Sequence, residues 1–109
     1  MGRYDALTQR LVDAVLKTPG DTPAALRRAV MERGKHPGKM SRDVAPQLAA
    51  YVDKVARHAY KVTDDDVAGL QRAGNSDDAL FEITVAAALG AALERLERGM
   101  AAVRGEVLD

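Results

Sequence analysis

Apolar side chains recur at every third or fourth position along most of this chain, which is the spacing of amphipathic α-helices. The first helix is predicted over residues 5–17, with an apolar stripe formed by Tyr4, Leu7, Leu11 and Val15. After a break at residues 18–21, the Thr22 hydroxyl is expected to cap a second helix that has Pro23 in its first position and ends at Gly34. The inner face of this helix is predicted to consist of Leu26, Ala29 and Val30.

A third helix is predicted over residues 42–60, after a loop that contains Pro37 and Gly38. Ser41 is its expected N-cap, and Pro46 falls early enough in the helix to be tolerated. The apolar stripe of this helix and the turn after it comprises Val44, Leu48, Tyr51, Val52, Val55, Ala59 and Val62.

Two acidic turns predict the starts of the last two helices. Thr63 is followed three residues later by Asp66, which approximates a capping box for a short fourth helix that Gly74 terminates. Ser76 begins the longest helix, which is predicted to continue to about Arg104. Because no segment alternates with a period of two, we predict no strand. The expected fold class is all-α, with about five helices in an antiparallel bundle and a long alanine-rich C-terminal helix.

The last helix is apolar nearly all round over residues 83–93, and a narrower seam continues beyond them. The seam has the alternating steps of four and three that coiled coils use, and it consists of Leu89, Leu93, Leu96, Met100 and Val103. A chain of this size buries less than about 70% of its unfolded surface. Four shorter helices offer too little surface to cover such a helix, so we expect a homo-oligomer with the seam as its interface.

Composition narrows the classes of function. The 109 residues make one domain, and they carry 16 basic and 16 acidic side chains, so the formal charge is zero. This balance argues against binding of nucleic acid or of a membrane surface through a basic field. Cysteine is absent, which excludes disulfides, thiol nucleophiles and zinc–thiolate sites. No signal peptide or transmembrane segment is visible, so the expected location is the cytoplasm.

Two familiar motifs do not fit the residues. Residues 63–88 read as helix, turn, helix, but the second helix would present Asp77, Asp78 and Glu82 to DNA and repel it. The acidic run at residues 64–66 lacks the glutamate that an EF-hand needs at its twelfth position. Two histidines in different elements give no metal-binding spacing, so we expect neither a metal nor a cofactor.

Four side chains are candidates for chemistry on a small molecule. His58 borders an apolar stripe, where it could act as a general base or proton relay, and Arg57 and Tyr60 beside it could bind an acidic substrate. Glu82 lies between two apolar residues, where a carboxylate must be paired or must titrate with a raised pKa. The structural alternative is that Glu82 forms an ion pair with Arg57, Arg72 or Arg95.

The second half of the chain resembles the alkylhydroperoxidase D-like (AhpD-like), or carboxymuconolactone decarboxylase-like, superfamily. The resemblance rests on residues 55–67, Leu70, Ala73-Gly74, Ser76-Asp77-Asp78, Phe81-Glu82 and the small-residue helix that ends in Ala92-Leu93-Glu94-Arg95-Leu96. Residues 61–63 stand at the first family turn, and residues 94–96 stand where an Asn-Arg-Leu-like motif would be. The resemblance covers roughly Val44 to Val103. It implies an all-helical, usually oligomeric fold, with residues 41–105 as the AhpD-like core and residues 1–40 as an N-terminal helical pair.

The redox centre of that superfamily has no counterpart here. Active members use a CxxC pair followed by a histidine, and these positions correspond to Pro46, Ala49 and Asp53. The resemblance therefore implies no cysteine-dependent peroxidase activity. Decarboxylase-like activity does not require cysteine and stays open.

Three functions remain open from the sequence. The first is a cysteine-free AhpD-like protein that acts as a non-redox oligomeric structural or regulatory subunit. The second is a cofactor-free enzyme for a small organic acid or lactone, with His58 and Glu82 as catalytic residues and Arg57 and Tyr60 as substrate-binding residues. The third is a protein interaction module whose terminal helix, residues 89–103, docks in the groove of a partner.

Overall fold

The computed structural model describes residues 4–39 and 42–106, which form five α-helices and one 3₁₀ turn and contain no strand. The helices are α1 (Asp5–Lys17), α2 (Ala24–Lys35), α3 (Pro46–His58), α4 (Asp64–Arg72) and α5 (Asp77–Val103), and the 3₁₀ turn is Ala59–Lys61. The all-α prediction is thereby confirmed. Among these helices, none combines the length and the apolar content that a membrane crossing requires.

The centre of the fold is the antiparallel contact between α2 and α5. Gly34 lies against the backbone carbonyl of Ala87, and Gly90 lies against that of Met31, so that a Cβ at either glycine would collide with main chain. Gly34, which was predicted to terminate α2, is buried inside a helix that continues to Lys35. Glycine is therefore required at this position because two helix backbones touch, and not because the chain turns.

The third helix packs against this pair and completes one core. Val30, Val52 and Ile83 are the largest fully buried side chains of the described residues, one each from α2, α3 and α5. Leu16 of α1 and Leu70 of α4 belong to the same apolar cluster. Part of the first forty residues thus shares its core with the second half of the chain.

Two helix starts use the predicted local signals. The Thr63 hydroxyl accepts a hydrogen bond from the Asp66 backbone at 3.2 Å, and the Asp66 carboxylate accepts one from the Thr63 backbone at 2.9 Å. These two bonds complete a capping box for α4. Ser76 caps α5 by accepting a hydrogen bond from the Ala79 backbone. Gly74 has a φ of 104°, the left-handed conformation that ends α4.

The predicted limits of α3 are wrong at both ends. The helix begins at Pro46 rather than at residue 42, because proline disfavours helical backbone for the residue before it, Ala45. The predicted cap, Ser41, lies outside the described residues. At the other end, the backbone of His58 leaves the helical region, so Tyr60 lies in the 3₁₀ turn rather than in α3.

The apolar stripe predicted for α1 is wrong for three of its four residues, because only Val15 packs against the core. The buried face of α1 is completed by Val12 and Leu16, which the predicted stripe did not include. Tyr4, Leu7 and Leu11 are about half exposed instead. The first helix is therefore attached to the rest mainly through its carboxyl-terminal half.

Candidate functional site

Arg27 forms the centre of a buried polar cluster at the end of α1. Only 4% of this residue is exposed. Its Nε donates to the Val15 carbonyl at 2.7 Å, and its Nη2 donates to the carbonyls of Leu16 at 3.3 Å and Thr18 at 2.8 Å. These carbonyls belong to the last turn of α1 and the residue after it, where helical carbonyls lack partners. Arg27 therefore caps α1 from the neighbouring helix.

The carboxylate of Glu82 closes the same cluster from α5. It accepts hydrogen bonds from the backbone amides of Asp21 at 2.7 Å and Thr22 at 2.9 Å, and from the Thr22 hydroxyl at 2.6 Å. Arg27 Nη1 lies 3.6 Å from Glu82 Oε1. The Thr22 hydroxyl thus serves Glu82, and α2 begins at Ala24 without the predicted side-chain cap.

Glu82 is paired, but its partner is none of the three arginines that we expected. The turn at residues 18–22 brings the start of α2 against the first turns of α5, which makes Arg27 the partner in place of Arg57, Arg72 or Arg95. The hydrogen bonds from Thr22 and Asp21 lower the pKa of Glu82 below its ordinary value of 4.5. All three of these donors, together with the nearby guanidinium of Arg27, hold the Glu82 carboxylate within the fold.

Sequence reasoning missed Arg27, although a signal for it was present. Arg27, Val30 and Gly34 lie three and four residues apart, so they share one face of α2. A charged side chain on an otherwise apolar helical face indicates a buried polar partner. The partner itself could not be identified, because Glu82 comes from a distant part of the sequence.

The other candidate residues lie together at the carboxyl end of α3. Arg57 Nη2 donates to the Pro37 carbonyl at 2.6 Å. The ring of His58 meets the ring of Tyr60 edge-on, with centroids 5.9 Å apart, and 80% of Tyr60 is exposed. Arg57 and His58 line a hollow of about 360 Å³, whereas Glu82 lines a separate one beside Phe81. The structure therefore brings Arg57, His58 and Tyr60 close and leaves Glu82 in another place.

The three positions that the predicted resemblance assigns to a redox centre make structural contacts. Pro46 begins α3, and Ala49 is buried in the core. Asp53 accepts two hydrogen bonds from Arg33, both at 2.8 Å, and one from the Gly38 backbone at 3.2 Å. Burial opposes ionisation of Asp53, but the bonds from Arg33 and Gly38 outweigh it and lower its pKa. This ion pair fastens α2 and the following loop to α3.

The seam predicted along α5 is only partly exposed. Leu89 and Leu93 pack against the core. Leu96, Met100 and Val103 have 49%, 39% and 78% of their surface exposed. The five residues therefore do not form one continuous surface.

A second apolar stripe, which shares Leu96 and Val103 with the predicted seam, runs along the outward face of α5 from its second turn to its end. It consists of seven exposed, uncharged residues: Phe81, Val85, Ala88, Ala92, Leu96, Gly99 and Val103. Their steps of four, three, four, four, three and four follow an eleven-residue period, which keeps them on one side of a nearly straight helix. We call these seven residues the outward stripe. The buried residues Ile83 and Gly90 lie on the opposite side of the helix.

The first helix adds to this apolar surface. Ala14 and Val15 line one hollow together with Phe81 and Val85, so α1 adjoins the beginning of the outward stripe. The half-exposed apolar residues of α1 continue along its length from that point. The described residues thus present two neighbouring apolar helix faces.

Comparison with other proteins leaves the resemblance to the AhpD-like superfamily as a prediction. No protein-family model, curated protein or solved structure matches the chain. Among the described residues, no group of three or more histidine, aspartate or glutamate side chains is placed to hold a metal ion. The features that bear on function are therefore the polar cluster, the hollow at the end of α3 and the outward stripe.

Proposed function

We propose that this protein is a non-redox helical subunit that pairs with a second copy of itself through the outward stripe of α5. The observation that carries the proposal is the exposure of large apolar side chains along this stripe, from Phe81 at 70% to Val103 at 78%. A long exposed patch of apolar side chains on a protein surface is typical of an interaction site.

The spacing of the outward stripe reads the same from either end, with Ala92 at its centre. In an antiparallel pair with a two-fold axis at Ala92, Val85 would face Gly99 of the second copy. By the same symmetry Ala88 would face Leu96, and the two end residues, Phe81 and Val103, would face each other. Two of these pairings place a large side chain opposite a small one, which allows two helices to interlock. A two-fold interface requires such self-complementarity, whereas docking into a foreign groove does not.

The size of the surface also suits a dimer. The stretch from Phe81 to Val103 is about 33 Å long at 1.5 Å per residue. The neighbouring α1 has 13 residues and is about 20 Å long, so two helix faces of about one diameter each give an area of roughly 550 Å². Stable interfaces bury about 800 Å² on each partner. The outward stripe and α1 together supply about two thirds of that area.

The assignment to a cysteine-free AhpD-like protein is part of this proposal. The two capped turns before α4 and α5, and the alanine-rich helix that follows them, support it. The absence of cysteine removes the redox chemistry of that superfamily. The position of Glu82 within the polar cluster favours a structural or regulatory subunit over the enzyme alternative, because the predicted catalytic pair of His58 and Glu82 is not assembled.

The proposal is tested by measuring mass in solution. Sedimentation equilibrium should give about twice the 11.7 kDa of one chain. Ala92→Glu should give monomers, since residue 92 would face its own copy and two carboxylates would meet. Ala50→Glu makes the same change at an exposed position of α3 and should leave the dimer intact.

A mixing experiment locates the axis itself. An equal mixture of Ala92→Glu and Ala92→Lys chains should recover the dimer that neither variant forms alone, because opposite charges would then meet. A wild-type chain that stays monomeric at all concentrations would overturn the proposal. Unimpaired dimerisation of Ala92→Glu would also overturn it.

A further inference from the structure

We propose that the hollow at the carboxyl end of α3 binds a small organic dicarboxylate. Its walls come from the end of α2 and the loop after it, the end of α3 and the middle of α5, and its volume is about 360 Å³. We call it the basic hollow, because basic side chains from all three helices line it, namely Lys35, Arg57 and Arg95, with the imidazole of His58 beside them.

Positive charge dominates the basic hollow in a chain whose net charge is zero. Lys35, Arg57 and Arg95 are permanent cations, and they belong to three different helices. Glu94 is the one carboxylate on the lining, and it already accepts a hydrogen bond from Arg98 at 2.7 Å. Glu32 Oε1 lies 3.6 Å from Lys35 Nζ, but the Glu32 side chain is largely exposed, so solvent weakens this ion pair. Asp53 is also close enough to interact with the charge of Arg57, but it accepts its hydrogen bonds from Arg33 and Gly38 and does not line the hollow. The lining itself carries three basic side chains and one carboxylate, which favours an anion.

Each of two guanidinium groups already donates one hydrogen bond to a backbone carbonyl. Arg57 Nη2 donates to the Pro37 carbonyl at 2.6 Å, and Arg95 Nη2 donates to the Ala56 carbonyl at 2.8 Å. A guanidinium carries five N–H donors, so each arginine keeps several for another acceptor. Side chains that are already ordered lose less entropy on binding, and arginine pairs well with carboxylates in the bidentate geometry.

The arrangement indicates the class of anion. Arg57 comes from α3 and Arg95 from α5, so a ligand with two carboxylates can satisfy one guanidinium with each. Ala56 and Ala91 form a small apolar floor, which suits a short methylene spacer. A volume of about 360 Å³ lies at the lower end of the range for ligand sites, so it fits an acid of a few carbons. Inorganic phosphate has no spacer to lie on this floor.

The basic hollow and the outward stripe share no residue, but they adjoin at Arg95, which is three residues from Ala92 on α5. Ala91, by contrast, is buried on the side of α5 that meets α2 and α3. A ligand could therefore occupy the hollow in a monomer or in a dimer. Failure of one proposal would leave the other standing.

The test uses succinate as the probe, titrated into the full chain at constant ionic strength and followed by amide chemical shifts. We expect saturable shifts confined to residues 34–37, 56–58 and 91–95, with a dissociation constant on the order of millimolar. Arg57→Gln and Arg95→Gln should each weaken binding about tenfold, since each removes one charge-assisted pair. Arg28→Gln, at an exposed position of α2, is the matched control and should bind as the parent does.

Acetate and inorganic phosphate, titrated in the same way, should bind at least about tenfold more weakly than succinate. Arg57→Lys keeps the charge and loses the planar fork, so it should fold normally and bind several-fold more weakly. The absence of saturable shifts with succinate would overturn the proposal. Equal binding of phosphate and succinate, or undiminished affinity in Arg57→Lys and Arg95→Gln, would overturn it as well.

Discussion

The hydroxyl of Thr22 donates a 2.6 Å hydrogen bond to the carboxylate of Glu82, sixty residues farther along the chain. This bond joins the turn after α1 to the first turns of α5, and Arg27 connects both to the end of α1. A polar cluster, rather than apolar contact alone, therefore sets the position of α1.

Replacing Glu82 with Gln should lower the free energy of unfolding by about 1–3 kcal/mol. The change removes the charge beside the buried guanidinium of Arg27 and weakens the bonds from Thr22. Urea denaturation followed by circular dichroism measures the loss. Glu97→Gln is the control, because this exposed residue lies on the same helix, and it should change stability by less than about 0.5 kcal/mol. Equal losses in the two variants would contradict a structural role for Glu82.

The polar cluster should also make stability depend on pH in the acid range. Because the hydrogen bonds from Thr22 and Asp21 lower the pKa of Glu82 in the folded protein, the unfolded chain binds the proton first as the pH falls below 4.5. The stability that Glu82 contributes is present above its unfolded pKa and is lost as the pH drops through the folded pKa. The difference in unfolding free energy between the parent and Glu82→Gln should therefore shrink below pH 4.5. A difference that stays constant down to acid unfolding would refute this linkage.

Arg27→Met should destabilise the fold by about 3–5 kcal/mol, the usual cost of removing one partner of a buried ion pair. Methionine preserves much of the side-chain volume, so the loss reports on the uncapped carbonyls of α1 and on Glu82 rather than on a cavity. Thermal or urea unfolding measures it. Arg28→Met changes the exposed neighbouring arginine and should be nearly neutral. A mild effect at Arg27 would show that water replaces its hydrogen bonds at little cost.

Gly90→Ala should lower stability by about 1–3 kcal/mol or prevent folding, because the added Cβ would meet the Met31 carbonyl. Gly69→Ala in α4 is the matched control. A Cβ there would come no closer than 3.4 Å to a flexible glutamine side chain, so helix propensity should stabilise it by up to about 1 kcal/mol. The two changes in urea midpoint are expected to have opposite signs. If Gly90→Ala were also neutral, the backbones of α2 and α5 would have to be farther apart.

The sequence predicts those parts of the fold that depend on neighbouring residues. The capping box of Thr63 and Asp66 and the cap at Ser76 act over three positions, so their pattern suffices. Gly34 shows where this reasoning stops. A glycine near the end of a helix fits a terminator and a close contact equally well, and only the position of Ala87 decides between them.

In the candidate site, too, contacts between residues close in sequence were predictable and contacts between distant residues were not. Arg57, His58 and Tyr60 are close in sequence and remain close in the structure, whereas Glu82 pairs with Arg27, which no spacing argument connects to it. The surface of α5 was ambiguous for another reason. This helix is apolar on nearly every side, so its sequence contains both the predicted seam and the outward stripe. Tertiary packing covers Leu89 and Leu93 of the seam and leaves the outward stripe exposed, which the sequence of one helix does not determine.

The close contact at Gly34 and Gly90 has a consequence for amide hydrogen exchange. Amides of α2 and of the middle of α5 lie where two backbones touch, so their protons should exchange with solvent only when the whole domain unfolds. The amino-terminal half of α1 has its apolar residues half exposed, and its protons should exchange through local fraying at far lower free energy. The molecule thus combines two slowly exchanging central helices with a first helix that frays at its amino-terminal half and is held at its carboxyl-terminal end by Arg27.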